Sequence, residues 1–496
     1  MQRTTDHHTM EKADEHFHEK EDVKVQDEGG LTAAEKAALT RRVLLKLDIR
    51  ILPVLTLLFL CSFLDRTNVG NAKTYGLETD LKISDSQYDT GLAVYYATYI
   101  VSEIPSNLVL KKVSPRIWLP LLTIAWGIVT MCLGFVRNYA GFMVVRAVLG
   151  ITEGGLLPGI VLYLSGMYTR PEMALRIGLF YTAASLSGAF GGLLARGLTA
   201  IGDIGGQQKW SWIFIIEGLL TVVVGVVAYF LLPNTIATAM FLEDDEKSFA
   251  VTRLRADVPS HLSESGSDER EKFKWSEVIR GILSIPTWLS ASAYFGILAG
   301  LYSFGLFLPT IIVELGYTNN QAQLWSVIPY AVASVITVAV AIISDRLKLR
   351  GIVMLFTLIP AIIGYAVIAN IGIEYPNVKY GMTFLMATGL YASVPPVLVW
   401  NANNSAGHYK RATTTALQLM IANSGGFVAT FIYPSTDKPQ FHNGHTVVLG
   451  LLVSAWFLVL ANVLYCAKVN RDKANGKYDK YTGYADDRDP DFAMIL

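Results

Sequence analysis

The stretch ILPVLTLLFLCSFLDR, Ile51–Arg66, decides the fold: an uncharged apolar run closes on an adjacent Asp65 and Arg66. A second stretch, FMVVRAVLGITEGGLLPGIVLYL (Phe142–Leu164), has the same character, with Arg146 and Glu153 inside it. Spans of a membrane need about 20 mostly apolar residues. A charge held within one costs several kcal/mol, so such charges are paired or line a polar cavity.

Working outward, apolar runs recur along the whole chain, near 51–68, 88–110, 117–135, 142–164, 174–198, 211–232, 287–310, 322–344, 352–371, 380–400, 412–433 and 447–467. Mean hydropathy is +0.39, and 52% of the 496 residues are hydrophobic. The fold class expected is therefore an all-α integral membrane protein with twelve transmembrane helices in two six-helix halves. Formal net charge is zero, so no basic excess points to nucleic acid. The distribution of charge is more telling. If the N-terminus is inside, the inner loops carry seventeen Lys or Arg and the outer loops only Lys73, Lys82, Arg137, Lys209, Lys379 and Lys438. By the positive-inside rule both termini are expected in the cytoplasm. Cys61, Cys132 and Cys466 each sit in an apolar run, with neither a disulfide framework nor a zinc spacing. No cleavable leader is expected, the first span serving as insertion signal.

Five segments are expected: a disordered tail over 1–45, a six-helix half over 46–233, a polar linker over 234–282, a second half over 283–468, and a tail over 469–496. His7, His8, His16 and His18 lie in the first tail, where a polar segment needs no metal to explain it. The linker holds HLSESGSDERE, His261–Glu271. A 6+6 division is the parallel-repeat layout of many secondary transporters, with the site between the halves near midplane. A weak internal echo supports it: NLVLKKVSPR (Asn107–Arg116) follows the second span, and SDRLKLRG (Ser344–Gly351) follows the eighth. The gating candidates are Lys111, Lys112, Arg116, Asp345, Arg346 and Arg350, whose charges can sit against helix C-termini or pair with an acid to hold the inner face shut. Topology alone explains basic inner loops equally well.

At SDRLKLRG and at RAVLGITEGGLLP (Arg146–Pro158) the chain resembles the major facilitator superfamily. Asp345-Arg346 and Arg350 keep the superfamily's loop motif, whereas the first loop is degenerate, with Asn107 and Lys111-Lys112 where Gly and Asp-Arg are usual. LDRTNVGNAK (Leu64–Lys73), YIVSEIPSN (Tyr99–Asn107), WSWIFIIEG (Trp210–Gly218) and FLPTIIVELGYT (Phe307–Thr318) resemble its anion:cation symporter branch. WNANNSAGHYKRA (Trp400–Ala412) is similar to the fungal allantoate permease-like group, which includes carriers resembling nicotinate and pantothenate permeases. The resemblance spans residues 45 to 470 and discriminates substrate poorly.

Arg146 and Glu153 are seven residues apart, two helical turns, and so share a face. Arg146 is the candidate anchor for an anion, since a guanidinium grips a carboxylate bidentately. Glu153 is the candidate proton carrier. The resemblance implies the same, as bacterial sugar-acid symporters of the branch use an Arg and a Glu at this spacing. An ion pair that only fixes helix packing is the competing reading. Asp65 and Arg66 diverge by about 100° on a helix and are no pair by themselves. Asp65 is assigned a protonation role near Arg146, and Arg66 reaches for substrate. The resemblance places this step at the central cavity, while a simple helix end is the alternative. Tyr99, four residues before Glu103, is a substrate candidate that the family directs into the cavity; Tyr95 and Tyr96 rank below it. Glu103 reads as gate or structure and Glu217 as mainly structural. In the second half Tyr302, Trp400, Asn403, Asn404 and Asn423 are substrate candidates, with helix-to-helix hydrogen bonding as the equal alternative.

No Walker A loop, HExxH or GxSxG occurs, which argues against an enzyme or an ATP-driven pump. No cofactor is expected. The expectation is a secondary transporter in the plasma membrane, working by alternating access as a proton-coupled symporter of a small organic anion such as a vitamin-like carboxylate or ureide. A facilitator, an exporter, or a transporter-like nutrient receptor are the alternatives.

Overall fold

A computed structural model describes residues 32–202, 204–256, 275–372, 374–483 and 486–496. The long α-helices follow the chain's apolar runs. In the first half the helices are α1 (Ala33–Thr74), the short α2 (Leu77–Leu81), α3 (Asp85–Lys112), α4 (Pro115–Leu133), α5 (Tyr139–Glu153), α6 (Leu156–Ser165), α7 (Arg170–Thr199) and α8 (Ser211–Leu231). Two helices, α9 (Asp244–Ala256) and α10 (Trp275–Ile282), lie in the linker. The second half holds α11 (Ile285–Glu314), α12 (Asn319–Leu347), α13 (Arg350–Asn370), α14 (Pro376–Asn403), α15 (His408–Asn423), α16 (Gly425–Phe431) and α17 (His442–Ala474). With α5–α6 and α15–α16 each counted as one broken span, twelve spans form two halves of six.

Among the described residues, ten helices are long and apolar enough to cross a membrane by length and composition. The other two spans, α3 and α15–α16, carry more polar residues, and they meet each other across the halves, where the Tyr96 ring fills the place of a side chain on Gly426. Polar groups at that interface are not set against lipid. Lipid instead meets outward apolar residues such as Val144, Ile151, Phe230, Val335, Phe356 and Leu464.

The halves close on the face opposite the chain ends. Asn319 Nδ2 donates to the Thr74 carbonyl at 2.9 Å, Tyr75 OH to Asn320 at 3.2 Å, and Gln323 Nε2 to Thr74 Oγ1 at 3.4 Å. Nearer the middle, Ser334 donates to Ser185 at 2.9 Å. On the face of the chain ends the linker is fastened: Glu246 takes Arg42 at 2.9 Å and Lys46 at 2.7 Å, while Arg253 reaches Glu172 at 2.9 Å.

The expected disordered tail over 1–45 meets a difference. Residues 1–31, with the four histidines, lie outside the described residues, but from Ala33 the chain is helical. Thr32 and Glu35 form a capping box that satisfies the first free backbone donors. This early start extends α1 to 42 residues, its polar first turns held by α9 rather than by lipid. The segment HLSESGSDERE also falls outside the described residues.

Candidate central binding site

Glu153 ends α5 at a position set by close packing. A side chain on Gly150 or Gly154 would run into Thr98, Ser102 and the backbone carbonyls of Tyr95 and Tyr99, so only glycine lets α5 lie directly on α3. Ser102 Oγ donates to the Gly150 carbonyl across this contact at 3.2 Å. The result is a fully buried Glu153 carboxylate with three donors: Ser62 Oγ at 2.5 Å, Arg66 Nε at 2.8 Å and Tyr95 OH at 2.6 Å.

Arg66 carries this network across the halves. Its Nη1 donates to Tyr302 OH at 3.2 Å, and Tyr302 donates to Asn423 Oδ1 at 2.9 Å. The guanidinium lies 4.7 Å from the Tyr99 ring centroid and 5.1 Å from that of Phe63. A buried cation is held here by one carboxylate and aromatic faces. Phe63, Arg66, Tyr96, Tyr302, Leu306 and Tyr391 line a gap of about 10 Å³. That is room for a single water; an organic solute requires the rings and Arg66 to part.

Arg146 shares a helix face with Glu153 as its spacing predicts, but the competing reading of an ion pair between them is not what the structure shows: Glu153 pairs with Arg66. Arg146 lies over the Tyr95 ring, 4.6 Å from the centroid, and its Nε and Nη1 are buried without a hydrogen-bond partner. Tyr95 thus supports both charges, one on its ring and one at its hydroxyl. Its rank below Tyr99 missed this, although Tyr95 and Tyr99 are one turn apart on α3 and share a face.

Asp65 turns away from Arg66 into the first half. Its Oδ2 accepts from Trp126 Nε1 at 2.6 Å and Thr130 Oγ1 at 3.2 Å, while Oδ1 has no partner. Arg146, Glu153 and Glu217 all act on it electrostatically. Both Glu217 oxygens are buried and unpartnered. Glu103, buried on α3, comes beside Asn423 of the second half.

Trp400 and Asn404 require a correction. Both are taken up by the carboxyl-terminal segment: Trp400 Nε1 donates to the Ile495 carbonyl at 2.8 Å, and the Asn404 amide donates to the same oxygen at 2.9 Å while accepting the Ile495 N–H at 2.8 Å. They lie at the end of α14 on the face of the chain ends, away from the central gap. Asn403 is half-buried beside them. The gating candidates bond locally. Arg116 donates to the Tyr229 carbonyl at 3.4 Å within the first half, and Arg350 pairs with Asp345 at 2.7 Å and donates to Ser344 at 3.0 Å within one turn region. Arg346 is exposed, and the side chains of Lys111 and Lys112 lie outside those described.

A buried cation–carboxylate network at the seam of two six-helix halves defines a multi-pass membrane transporter. The chain belongs to the major facilitator superfamily, whose model matches residues 55–430. An uncharacterized transporter of Schizosaccharomyces pombe is 35% identical over 94% of this chain and 92% of its own. The high-affinity nicotinic acid transporter of Saccharomyces cerevisiae is 30% identical over 92% of this chain and 85% of its own. Among solved structures, the xylose transporter XylE of E. coli shares the fold, with a TM-score of 0.62 at 15% identity over 83% of this chain and 97% of that one.

Proposed function

We propose that the protein is a proton-coupled symporter of a small organic anion, working by alternating access in the plasma membrane with both termini cytoplasmic. The observation that carries this reading is the buried Arg66–Glu153 pair at 2.8 Å, joined to Tyr302 of the other half. While Glu153 is charged it occupies the guanidinium that a substrate carboxylate would need. A proton on Glu153 removes that counter-charge and frees Arg66 to grip the anion. Arg146, with two buried N–H groups unbonded, is the second anchor, since an unsatisfied buried donor gains most from a ligand. Asp65 is a further proton-carrying candidate on the same half. Arg66 and Tyr302 then link substrate occupancy to the relative position of the halves, and only differential affinity for the two states drives the cycle.

The rings of Phe63, Tyr96, Tyr302 and Tyr391 favour a flat, small carboxylate, and the nicotinic acid transporter among the relatives supports that class. Uptake of labelled nicotinate, pantothenate, allantoate and a sugar acid, with and without an imposed inward proton gradient, tests the reading beside Glu153→Gln. The expected result is accumulation above equilibrium that the variant loses while retaining exchange of substrate across the membrane. Gradient-independent flux that the variant leaves unchanged identifies a facilitator and overturns the coupling.

A further inference from the structure

The last residues of the chain, Asp486–Leu496, return to the second half and are read there by side chains built to hold a peptide. Asn404 exchanges two hydrogen bonds with the backbone of Ile495, and Asn470 does the same with Met494, both at 2.8 Å. Lys473, nearly buried on α17, donates to the carbonyls of Asp487, Asp489 and Phe492 at 2.7, 2.9 and 2.6 Å. The Gly351 N–H at the start of α13 donates to the Leu496 carbonyl at 3.2 Å. Met494 is buried, and Ile495 and Leu496 pack against the core.

The acidic end of the segment reaches two further elements. Asp486 and Asp487 take Arg280 of α10 at 2.8 and 2.7 Å, and Asp487 also takes the buried Lys410 at the start of α15. Burial works to raise the Asp486 carboxyl, but hydrogen bonds from Arg488 and the charge of Arg280 outweigh it and hold it below the usual carboxylate range. Its ion pairs therefore stand at neutral pH and are lost only as pH falls through that lowered value. The linker is held at two places: α9 by Arg42, Lys46 and Glu172 of the first half, and α10 by the close packing of Gly281 on Thr413 of α15 together with the ion pairs of this segment. Trp275, Ile279 and Ile282 of α10 point outward as an apolar edge, the arrangement of a helix lying at a membrane surface.

We propose that Asp486–Leu496 is a detachable clamp: an intrachain peptide ligand whose docking joins α10, α13, α14, α15 and α17 so that the second half and its end of the linker move as one body. The amide clamps read backbone, while the acidic-then-apolar order of the segment supplies the ion pairs at one end and the buried side chains at the other. Without it Trp400, Asn404, Lys410 and Lys473 lose the partners that satisfy them in this largely buried site, so the groove favours being filled.

The test uses hydrogen exchange and peptide binding, which need no knowledge of the transported solute and so do not depend on the proposed symport. The chain ending at residue 485 is purified in detergent and a labelled synthetic peptide of residues 486–496 is added. Saturable binding is expected, together with amide exchange in α10 that is at least about tenfold faster in the truncated chain and returns to the full-length rate with the peptide. The full-length double variant Asn404→Ala, Asn470→Ala serves if the truncated chain does not fold, and the same acceleration in α10 is expected of it. No binding of the peptide to a folded truncated chain, or unchanged exchange in α10 of the double variant, overturns the clamp.

Discussion

Tyr95 sits between two charges, its ring against the Arg146 guanidinium and its hydroxyl on the Glu153 carboxylate. Tyr95→Phe keeps the ring contact and deletes the donor, leaving a buried carboxylate oxygen short of a partner at a cost of about 1–3 kcal/mol. A lower melting temperature in detergent checks this, and an unchanged one shows that Ser62 and Arg66 satisfy Glu153 alone. Asp65 and Glu217 make a contrasting pair. Asp65 is bonded by Trp126 and Thr130, whereas Glu217 has no hydrogen bond on either oxygen. Glu217→Gln removes an uncompensated buried acid and breaks no hydrogen bond, so it is expected to raise the melting temperature and leave accumulation intact. Asp65→Asn keeps an acceptor for Trp126 and is expected to fold while losing gradient-driven accumulation. Equal loss in both variants would move Glu217 into the coupling machinery.

The helices position these side chains through a few close contacts. On α5 and α6 the chain breaks at Gly154-Gly155, and Gly154 presses on the Tyr99 carbonyl and Ser102 of α3. Gly154→Leu forces the two helices apart, and overpacking of this kind costs about 1–3 kcal/mol. It also moves Glu153 away from Tyr95, so substrate uptake is expected to fall more than expression does; wild-type uptake from the variant would show that this contact does not set the site. The start of α1 shows what hydropathy misses. Residues 33–45 are too polar to read as a span, yet Thr32 and Glu35 form a capping box and Lys46 and Arg42 find Glu246. The motif Thr-x-x-Glu was visible in the sequence; its meaning depended on a linker helix some two hundred residues away.

At the scale of the whole molecule, the halves touch around Thr74, Asn319, Asn320 and Gln323 on one face. The alternating access proposed above requires that mouth to open. Thr74→Cys with Asn319→Cys, oxidised to a disulfide, is expected to stop uptake, and a reductant is expected to restore it. Uptake that continues with the bond formed excludes opening there. Ten of the spans stand out in the sequence because hydropathy is a local property, carried by each run whatever it later packs against, whereas α3 and α15–α16 are more polar because they face each other across the halves. That Asp65, Arg66, Arg146 and Glu153 are charges set inside apolar runs was readable for the same reason, and all four are buried in the fold. The pairing of those charges was decided only by tertiary structure. Glu153 takes Arg66, 87 positions away, rather than Arg146 on its own helix face, because the glycine contact with α3 and the course of α1 fix where the carboxylate ends. Trp400 and Asn404 looked equally suited to a solute, and only the returning chain end, more than ninety residues on, shows that they bind a peptide backbone. Side-chain type states what a residue can bond; the packing of distant segments decides which partner comes within reach.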